Sequence, residues 1–363
     1  MKKILVNTGR LSTGGLENMV VSFAENTAGD YEYYFIVHND SNVDYKERLR
    51  KINGKVIRVN SKNIYSYIGD IKKIIKQYGP FDVVHSHTLF FSGIILSVAR
   101  FYKIPIRIAH SHNTCASTKE SIKDKIVHMI LGRLIKLNGN VFCACGEKAG
   151  EYLYGKKFWE NRGILIENGI DTKQFVFSIE KRRIIRKKLG VDEKEIIIGQ
   201  VGRIAPVKNL NFTIKVFQTL LKNNKNIKLL VIGDGPLRIT MEEKVDKMGL
   251  RSQILFLGNV DNMNEIYSAI DILMLPSLYE GFPVVLVEAQ TNGLRCLISD
   301  KISREVILTD LIKMEKLIEE LWVKDINKII MQLNIEQRSK YIKLLQNYDI
   351  KNVAKKIEEI YEK

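Results

Sequence analysis

The fold of this chain is decided by the stretch Pro276-Ser277-Leu278-Tyr279-Glu280-Gly281-Phe282-Pro283-Val284-Val285-Leu286-Val287-Glu288. It opens with a turn, holds a glycine and a proline at a bend, and continues into an apolar run typical of a helix start. Glu280 precedes the bend, and Glu288 lies about two turns into the predicted helix. Amides at a helix N-terminus favour phosphates, and carboxylates accept hydrogen bonds from hydroxyls. The stretch therefore predicts a site for a phosphate-bearing ligand with hydroxyls at both ends.

Strands and helices alternate along the rest of the chain. In the first half, runs of strand length fall at residues 3–7, 33–38, 56–59, 82–85, 106–110 and 139–145. In the second half they fall at 196–201, 228–233, 254–257, 271–275 and 295–299, and residues 311–363 are predicted to be helical. Such alternation indicates parallel sheets covered on both faces. The predicted fold class is α/β, with two doubly wound, Rossmann-like domains that face each other across a cleft.

A glycine-rich turn joins the first strand to the first helix, in the run Asn7-Thr8-Gly9-Arg10-Leu11-Ser12-Thr13-Gly14-Gly15-Leu16-Glu17. Gly14 and Gly15 let backbone amides approach a ligand, and the following helix N-terminus favours an anion. The run lacks the Gly-x-Gly-x-x-Gly order of a dinucleotide-binding loop and the Lys-Ser/Thr of a P-loop. A ligand-contacting loop is predicted, and an ordinary tight turn stays open as the alternative.

Two cations flank the turn after the first strand of the second half, in the run Gly202-Arg203-Ile204-Ala205-Pro206-Val207-Lys208-Asn209. Arg203 follows the strand directly, and Lys208 is predicted to open the next helix. Two cations five residues apart around a turn can converge on one diphosphate, the arginine as a fork and the lysine as a point charge. A pair of solvated surface cations is the alternative.

Four of the six histidines lie at the ends of two predicted strands, in Val84-His85-Ser86-His87 and Ala109-His110-Ser111-His112. Residues two apart on a strand share a face, which is compatible with a metal site. Zinc would want further acidic or cysteine ligands nearby, and the chain has no Asp-x-Asp motif, so no catalytic metal is expected. For His85 and His110, a packed or hydrogen-bonded imidazole is the favoured interpretation.

The run from Ser277 to Glu288, with two glutamates eight residues apart, resembles the Glu-x7-Glu motif of retaining glycosyltransferases of family 4, which have the GT-B fold. The resemblance implies that Glu280 contacts the donor sugar and Glu288 the ribose of the nucleotide, with Gly281, Phe282 and Pro283 also in the donor site. It implies transfer of a sugar from a nucleoside diphosphate sugar, with UDP as the expected nucleotide, to a hydroxyl of a saccharide acceptor. No metal or other cofactor is implied.

Further motifs extend the resemblance over nearly the whole chain. Arg203 and Lys208 match the family pattern Gly-Arg-x4-Lys, whose cations neutralise the leaving diphosphate, and His112 matches a histidine near the donor sugar. Gly14 and Gly15 match a loop over the diphosphate or acceptor, and Asn259 and Val260 precede a loop that contacts the base. The run from Asn292 to Lys301 lacks the glycines common there, which leaves the shape of that loop in doubt. The implied domains are residues 1–175 for the acceptor, 176–340 for the donor, and a helix at 341–363 that crosses back to the first domain.

The formal net charge is +16 over 363 residues, and it is concentrated in the first domain, where residues 51–150 hold 16 basic and 5 acidic residues. Nucleic-acid-binding patterns are missing from the sequence, so no nucleic-acid partner is expected. The run 121–137 predicts a basic amphipathic helix that could lie on anionic membrane, or whose apolar face could pack on the domain core. A lipid-linked acceptor in capsule or exopolysaccharide assembly is the corresponding expectation.

The start of the chain predicts a buried strand and not a cleavable leader, and no apolar run is long enough to cross a bilayer. The four cysteines do not form a disulfide framework, which fits a reducing compartment. The expected location is the cytoplasm, with peripheral contact at the inner face of the plasma membrane. Two other functions stay open: a nucleotide-sugar epimerase of the same fold, and a non-catalytic nucleotide-sugar-binding protein.

Overall fold

The computed structural model describes residues 1–12, 14–114 and 121–363, apart from the side chains of 342–344. The chain divides into two compact domains. The first contains residues 1–170 and 347–363, and the second contains residues 171–346. The sequence places the corresponding limits at residues 175 and 340.

The first domain is built on a parallel sheet of seven strands in the order β3-β2-β1-β4-β5-β6-β7. Its strands are β1 Lys2–Gly9, β2 Tyr31–His38, β3 Lys55–Val59, β4 Val83–Ser86, β5 Ile106–Ser111, β6 Val141–Ala144 and β7 Gly163–Leu165. Its helices are α1 Gly15–Asn26, α2 Lys46–Lys51, α3 Ile64–Tyr78, α4 Ser92–Phe101, α5 Ile122–Asn138, α6 Glu147–Tyr154, α7 Lys156–Arg162 and the last helix, α14 Ile350–Tyr361.

The second domain repeats the same strand order over six parallel strands, β10-β9-β8-β11-β12-β13. Its strands are β8 Ile196–Val201, β9 Ile227–Ile232, β10 Ile254–Gly258, β11 Ile272–Leu275, β12 Arg295–Ser299 and β13 Ile312–Glu315. Its helices are α8 Ile179–Lys188, α9 Leu210–Asn223, α10 Arg238–Lys247, α11 Met263–Ala269, α12 Val284–Thr291 and α13 Glu319–Met331. Two Rossmann-like α/β domains are therefore present, as the sequence predicts.

The strand order places a topological switch point in each sheet, between β1 and β4 and between β8 and β11. Loops at the carboxyl ends of these strands diverge, and the gap between them is where doubly wound sheets bind ligands. Gly14 and His87 follow β1 and β4, and Arg203 and Glu280 follow β8 and β11. These four predicted site residues therefore lie at the carboxyl edges of the two sheets.

The last helix, α14, belongs to the first domain, where Val353, Ile357 and Ile360 join its main hydrophobic core. Its N-cap is Asp349, whose side chain accepts from the Lys351 amide at 3.1 Å. The backbone of Ile170 pairs with Tyr348 and Ile350, which holds the returning chain against the end of the first domain. The crossing back of the C-terminal helix is thus part of the fold.

Three sequence predictions need correction. Residues 311–363 are not wholly helical, because Ile312–Glu315 forms edge strand β13 beside β12. The short edge strand β7 is also missing from the prediction. Both β7 and β13 are only partly buried, so neither has the buried apolar run from which a strand is predicted. Lys208 ends a single 3₁₀ turn, Pro206–Lys208, and α9 begins only after Asn209, whose φ is +53°.

Helix α5 covers the predicted amphipathic run and begins at a capping box in which Ser121 and Asp124 bond each other's backbone amides. It packs through Leu131, Gly132 and Ile135. The apolar residues predicted to share one face do not all turn inward, since Ile126, Met129, Ile130 and Leu137 are each about half or more exposed. No helix in the described part of the chain is long and apolar enough to cross a membrane.

Candidate active site

In the second domain, the loops after β8 and β11 are joined by backbone contacts. The Leu278 amide donates to the Val207 carbonyl at 2.8 Å, and the Asn209 side chain donates to the Pro276 carbonyl at 3.2 Å. Asn209 can reach across because its left-handed backbone breaks the chain direction between the 3₁₀ turn and α9. These bonds hold the two predicted motifs together as one surface.

Lys208 and Glu280 form a direct ion pair on this surface, between Lys208 Nζ and Glu280 Oε1. Ser277 Oγ donates to the same oxygen at 2.9 Å. Both charged side chains are only 17% exposed, so the pair is shielded from bulk water. Both bonds end on Oε1 of Glu280, and the ammonium group of Lys208 retains donors beyond the one used here.

Arg203 lies on the same loop as Lys208, but the two side chains differ in exposure and in pairing. It is exposed, and within residues 1–12, 14–114 and 121–363 it makes no ion pair. A guanidinium presents five donors in a planar fork. The loop therefore offers one cation that is anchored to a carboxylate and one that is free to move to a ligand.

The glycines of the neighbouring turns allow the loops to approach closely. A Cβ on Gly233, whose φ is +124°, would lie 2.2 Å from the Gly202 carbonyl oxygen, and Gly202 itself has a φ of +136°. A side chain at Gly233 would therefore require the backbone to move, and one at Gly202 would be strained by the positive φ. The packing brings the end of β9 against the cationic loop after β8.

Glu288 lies on α12, four residues after the first residue of the helix, which is about one turn and not the two turns predicted from the sequence. Its Oε2 accepts from the Tyr267 hydroxyl at 2.8 Å. Burial raises the pKa of Glu288 to about 7, against a smaller lowering effect of the Tyr267 bond. Tyr267 is fully buried on α11. The carboxyl group is thus fixed in direction and poised to change charge near neutral pH.

The remaining predicted donor-site residues lie just before the same helix or directly after strand β10. Helix α12 begins after Pro283, and no side chain caps its first amides. Gly281 and the buried Phe282 lead into it. Asn259 is exposed and Val260 half-buried, directly after β10. Uncapped amides at a helix start favour an anion.

In the first domain, Gly14 is the N-cap of α1 in an extended conformation, and Gly15 opens the helix. A Cβ on Gly14 would lie 2.3 Å from a carboxylate oxygen of Glu17, which is buried and paired with Arg10 at 2.8 Å. A Cβ on Gly15 would meet nothing within 4 Å. A side chain at Gly14 would displace the buried carboxylate of Glu17, whereas one at Gly15 would have open space around it.

The four strand-end histidines are brought together in one buried cluster, which we call the imidazole ladder: His85, His87, His110 and His112. His85 Nε2 lies 3.1 Å from His110 Nδ1, and His87 Nδ1 lies 2.9 Å from His112 Nε2. Neighbouring rings stack with centroids 4.2 to 5.3 Å apart. The packed, hydrogen-bonded interpretation of His85 and His110 fits this geometry.

Burial lowers the pKa of every imidazole in the ladder, to about 3 for His85 and about 4 for His112. All four rings are therefore neutral at pH 7. Asn168 lies beside His112 and partly offsets this lowering. His85 Nδ1 lies 2.8 Å from the Tyr361 hydroxyl, which ties the ladder to α14.

Three contacts of the site were not predicted from the sequence. Lys208 and Glu280 were assigned to different parts of a ligand, but they bond each other. Tyr267, 21 residues before Glu288, carried no motif that singled it out. His112, predicted to contact a sugar, is only 9% exposed and is bonded to His87. The repeated His-Ser-His pattern was the one available signal for the last contact.

Two family models match the chain almost end to end. Residues 13–174 match the model described as Glycosyltransferase Family 4, and residues 181–343 match the model described as Glycosyl transferases group 1. EpsF of Bacillus subtilis (strain 168), whose name assigns it to the glycosyltransferases, is 35% identical over 310 residues, or 84% of this chain and 81% of EpsF. The chain is a group 1 glycosyltransferase.

Other relatives of this glycosyltransferase carry more specific names. The UDP-Gal:alpha-D-GlcNAc-diphosphoundecaprenol alpha-1,3-galactosyltransferase of Escherichia coli is 27% identical over 82% of this chain and 80% of its own length. The capsular polysaccharide biosynthesis glycosyltransferase CapH of Staphylococcus aureus is 24% identical over 99% of both chains.

Among solved structures, Anabaena Alr3699/HepE in complex with UDP superposes with a TM-score of 0.82 at 16% identity, over the whole of both chains. The lipopolysaccharide glycosyltransferase WaaG gives a TM-score of 0.74 at 17% identity, over 99% of both chains. This likeness places the glycosyltransferase in the GT-B fold.

Proposed function

We propose that this glycosyltransferase moves a sugar from a nucleoside diphosphate sugar to a saccharide hydroxyl, with retention of the anomeric configuration. The observation that carries the proposal is the surface formed by Lys208, Glu280 and Ser277, with the exposed fork of Arg203 beside it. A nucleoside diphosphate sugar needs cations for its phosphates and fixed acceptors for its hydroxyls. The site supplies both within one domain.

The leaving diphosphate gains negative charge as the glycosidic bond breaks, so preorganised donors around it lower the barrier. Arg203 can close onto the phosphates as a fork, and Lys208 can donate to them while still bonded to Glu280. The uncapped first amides of α12, after Gly281, Phe282 and Pro283, supply further donors. We expect no metal to be needed for this step, because the protein supplies the positive charge.

Glu280 is proposed to orient the donor sugar. Its Oε1 is held by Lys208 and Ser277, so Oε2 can accept from a sugar hydroxyl in a fixed direction. Glu288 is proposed to accept from the ribose hydroxyls, with Tyr267 fixing its carboxyl group. Neither glutamate is assigned as a nucleophile; we propose attack from the face of the leaving group, with a phosphate oxygen accepting the acceptor proton.

The first domain is proposed to bind the acceptor, with the loop at Gly14 and Gly15 after β1 and with His112 after β5. His112 can contact a sugar hydroxyl through Nε2 only by exchanging its bond to His87. UDP is the proposed nucleotide, supported by the UDP-sugar in the name of the E. coli relative. Asn259 and Val260 are proposed to lie near the base.

A lipid-linked acceptor at the membrane, in capsular or exopolysaccharide biosynthesis, is the proposed setting. The names of CapH and of the E. coli diphosphoundecaprenol enzyme support it, as does the basic first domain with its exposed apolar residues on α5. Association would be peripheral.

A thermal-shift screen of nucleoside diphosphate sugars tests the donor assignment. A ligand that binds only the native state stabilises it by RT ln(1 + [L]/Kd), which is about 2.7 kcal/mol at a hundredfold excess over Kd. We expect UDP-sugars to raise the melting temperature and Arg203→Ala to abolish the shift. Product analysis with the donor that gives the largest shift then distinguishes transfer from epimerisation, which would return an isomerised free donor. Full transfer activity in Glu280→Gln would contradict the assignment.

A further inference from the structure

Arg338 is a buried cation of the second domain to which the proposed reaction assigns no role. It lies in the run Ile335–Tyr348, between α13 and α14, and is only 6% exposed. A guanidinium has five N–H donors, and a buried charge is strongly destabilising unless its donors find acceptors. The groups that accept from Arg338 therefore indicate what this side chain does.

All three nitrogens of the guanidinium donate to the C-terminal ends of two helices. At the end of α11, Nη1 donates to the Ile270 carbonyl at 2.8 Å and Nη2 to the Tyr267 carbonyl at 2.9 Å. At the end of α12, Nε donates to the Asn292 carbonyl at 3.2 Å, and Nη2 also donates to the side-chain oxygen of Asn292. Carbonyls at a helix C-terminus lack partners within the helix and favour a cation. Arg338 thus binds α11 to α12.

The same two helices carry the residues that meet at the proposed ribose side of the donor site. The Tyr267 hydroxyl on α11 donates to Glu288 Oε2 on α12 at 2.8 Å. The Glu288 carbonyl accepts from the Asn292 amide at 3.0 Å. A closed ring of contacts therefore runs through Arg338, Tyr267, Glu288 and Asn292. The guanidinium closes the ring at the helix ends, and the hydroxyl closes it at the carboxyl group.

Neighbouring groups hold Arg338 in this position. Its guanidinium lies 4.4 Å from the centre of the Phe177 ring, a contact that fixes a cation without neutralising it. A Cβ on Gly293, whose φ is +69°, would lie 2.1 Å from the Arg338 carbonyl oxygen. The Asn292 side chain, in turn, donates to the Phe175 carbonyl at 2.9 Å. The joint between the two helices is therefore closely packed on each side.

Arg182 is a second buried arginine at the end of α11, and it provides a comparison. It donates to the carbonyls of Ser268 at 3.3 Å and Ala269 at 3.2 Å, and it pairs with Asp271 at 2.8 Å. In the described part of the chain, none of its bonds reaches α12. Arg182 therefore binds one of the two helices, whereas Arg338 binds both.

We propose that Arg338 is a positioning residue for nucleotide binding: it holds the ends of α11 and α12 together, and so keeps the Tyr267 hydroxyl bonded to Glu288. A carboxyl group fixed in this way loses less freedom when a ribose hydroxyl binds to it, which favours affinity. The inference deepens the proposed function and rests on it, since Glu288 is the proposed ribose ligand.

The first experiment measures the bond in the protein without nucleotide. Tyr267→Phe removes the hydroxyl and should raise the pKa of Glu288, because the bond lowers it. In an Arg338→Lys background, an ammonium cannot span the four acceptors, so Tyr267→Phe should raise the pKa by less than about half as much. Titration of the Glu288 carboxyl carbon by ¹³C NMR, assigned by its loss in Glu288→Gln, measures both shifts.

Other ionisable groups near this bond stay the same in these variants. They are the Cys296 thiol on β12, whose charge acts on Tyr267, and the pair of Asp271 and Arg186 at the end of α11. Arg338→Lys also keeps the positive charge. A change in the effect of Tyr267→Phe therefore reports the geometry of the bond and not the loss of a charge.

Two further variants separate positioning from general loosening of the domain. Arg182→Lys makes the same chemical change at a buried arginine that binds only α11, so Tyr267→Phe should keep its full effect in that background. Phe177→Leu removes the ring beside the guanidinium and disturbs folding least. It should weaken the effect of Tyr267→Phe in the same direction as Arg338→Lys, but by less. This milder variant keeps the test decisive if Arg338→Lys does not fold.

The second experiment measures UDP binding by calorimetry. Arg338→Lys should raise the Kd for UDP about 3- to 10-fold, the equivalent of one hydrogen bond of ordinary strength. The value of kcat should fall less, because the proposed diphosphate ligands Arg203 and Lys208 are untouched. Arg182→Lys should leave the Kd within about twofold of the wild type.

The results distinguish this inference from the proposed function. An equal effect of Tyr267→Phe in the wild-type and Arg338→Lys backgrounds would overturn the role of Arg338, as would an equal loss of that effect in Arg182→Lys. If the pKa shifts are as expected but Glu288→Gln binds UDP like the wild type, the ribose role of Glu288 fails while the positioning by Arg338 stands. If Glu288→Gln weakens UDP binding and Arg338→Lys does not, only this inference fails.

Discussion

At the scale of single residues, the contact between Lys208 and Glu280 is the most consequential, because it joins the residue proposed to orient the sugar to one proposed to bind the diphosphate. Lys208→Met keeps the length of the side chain and removes its charge. We expect kcat to fall about 10²- to 10³-fold, the typical loss for one donor to a developing anion. Initial rates of nucleotide release measure this, with Lys222→Met as the control for an exposed lysine of the same domain. A variant that keeps the wild-type rate would remove Lys208 from the mechanism.

Because Glu288 is proposed to bind the ribose, we expect nucleotide binding to depend on pH near neutrality. Its pKa of about 7 means that the free protein carries a protonated carboxyl group below that pH, whereas ribose hydroxyls are best accepted by the carboxylate. We expect the affinity for UDP to fall by up to tenfold per unit as the pH drops below 7. Calorimetric titration of the protein with UDP, at several pH values between about 5.5 and 8, measures this change in affinity. Glu288→Gln should bind weakly and without this slope; a slope that persists in the variant would assign the titration elsewhere.

Tyr267 allows a second check on the same carboxyl group. Its hydroxyl stabilises the carboxylate, so Tyr267→Phe should raise the pKa of Glu288 and move the midpoint of UDP binding to higher pH. Tyr341→Phe, a largely buried tyrosine of the same domain that does not bond Glu288, is the control. Identical midpoints in the wild type and Tyr267→Phe would mean that the bond does not act on the carboxyl group.

How far the sequence predicts the site can also be judged residue by residue. Glu280, Lys208 and Arg203 could be assigned because their motifs are local, each within one turn after a strand. Tyr267 and His87 could not, because their roles depend on which side chains meet across neighbouring elements. Such contacts follow from register and packing, which a single sequence does not specify.

At the scale of elements, α14 stabilises the domain from which it is most distant in sequence. Ile357 is 1% exposed in the core of the first domain. Ile357→Ala should lower the free energy of unfolding of that domain by about 2–4 kcal/mol, and Ile357→Val by about 1 kcal/mol. Urea unfolding followed by Trp159 emission measures this, and Lys355→Ala on the exposed side of the same helix should change little. Equal effects of Ile357→Ala and Lys355→Ala would show that α14 does not support the first domain.

Helix α5 should behave in the opposite way, since several of its apolar side chains, among them Ile126 and Ile130, are exposed. Ile126→Ser with Ile130→Ser should leave the melting temperature within about 2 °C of the wild type, because both side chains are about half exposed. Vesicle binding should fall at least about tenfold, from the lost burial of two isoleucines in lipid. Ile239→Ser, at a 73% exposed position of the second domain, is the control. Unchanged vesicle binding would mean that Ile126 and Ile130 do not contact the membrane.

The elements also show why some local structure escapes prediction. Strand β11 is fully apolar and buried, and β1 contains a buried apolar run at residues 4–6, so composition alone predicts both. Strands β7 and β13 are three and four residues long at the sheet edges and only partly buried. They form strands because the neighbouring strands β6 and β12 supply backbone hydrogen-bond partners. This tertiary contact outweighs their weak intrinsic preference for the strand conformation. For α5, periodicity predicted the helix but could not determine which side would be covered.

At the scale of the whole molecule, the two domains share one strand order yet place different chemistry near the carboxyl ends of their strands. The first has four neutral imidazoles there, and the second has an ion pair and a carboxyl group of raised pKa. Repetition of the fold was predictable from the alternation of strands and helices. The opposite electrostatic character was not, because burial of the ladder and of Glu288 emerges only when the elements pack.

This difference predicts that acid acts on the two domains with opposite sign through these groups. The imidazoles have folded pKa values below the unfolded value of 6.5, so their stabilising effect is complete above pH 6.5 and is lost as the pH falls toward 4 and 3. Glu288 has a folded pKa of about 7, above its unfolded value, so its stabilising effect is complete below pH 4.5 and is lost as the pH rises through 7. Between pH 7 and 5, each ladder imidazole should cost the first domain roughly 1–2 kcal/mol, while Glu288 favours the second domain.

The two tryptophans make this prediction measurable, because Trp159 lies in the first domain and Trp322 in the second, and both are buried. Trp322→Phe leaves emission from the first domain, and Trp159→Phe leaves emission from the second. We expect the first-domain transition to move to lower urea between pH 7 and pH 5, and the second-domain transition to move less or in the other direction. Calorimetry of the unsubstituted protein, with two transitions that separate in acid, checks that neither substitution creates the effect. In Glu288→Gln the second-domain transition should lose the part of its pH dependence that this carboxyl group supplies. A first domain as stable at pH 5 as at pH 7 would show that the ladder already binds protons when folded, and that its imidazoles are not held neutral by burial.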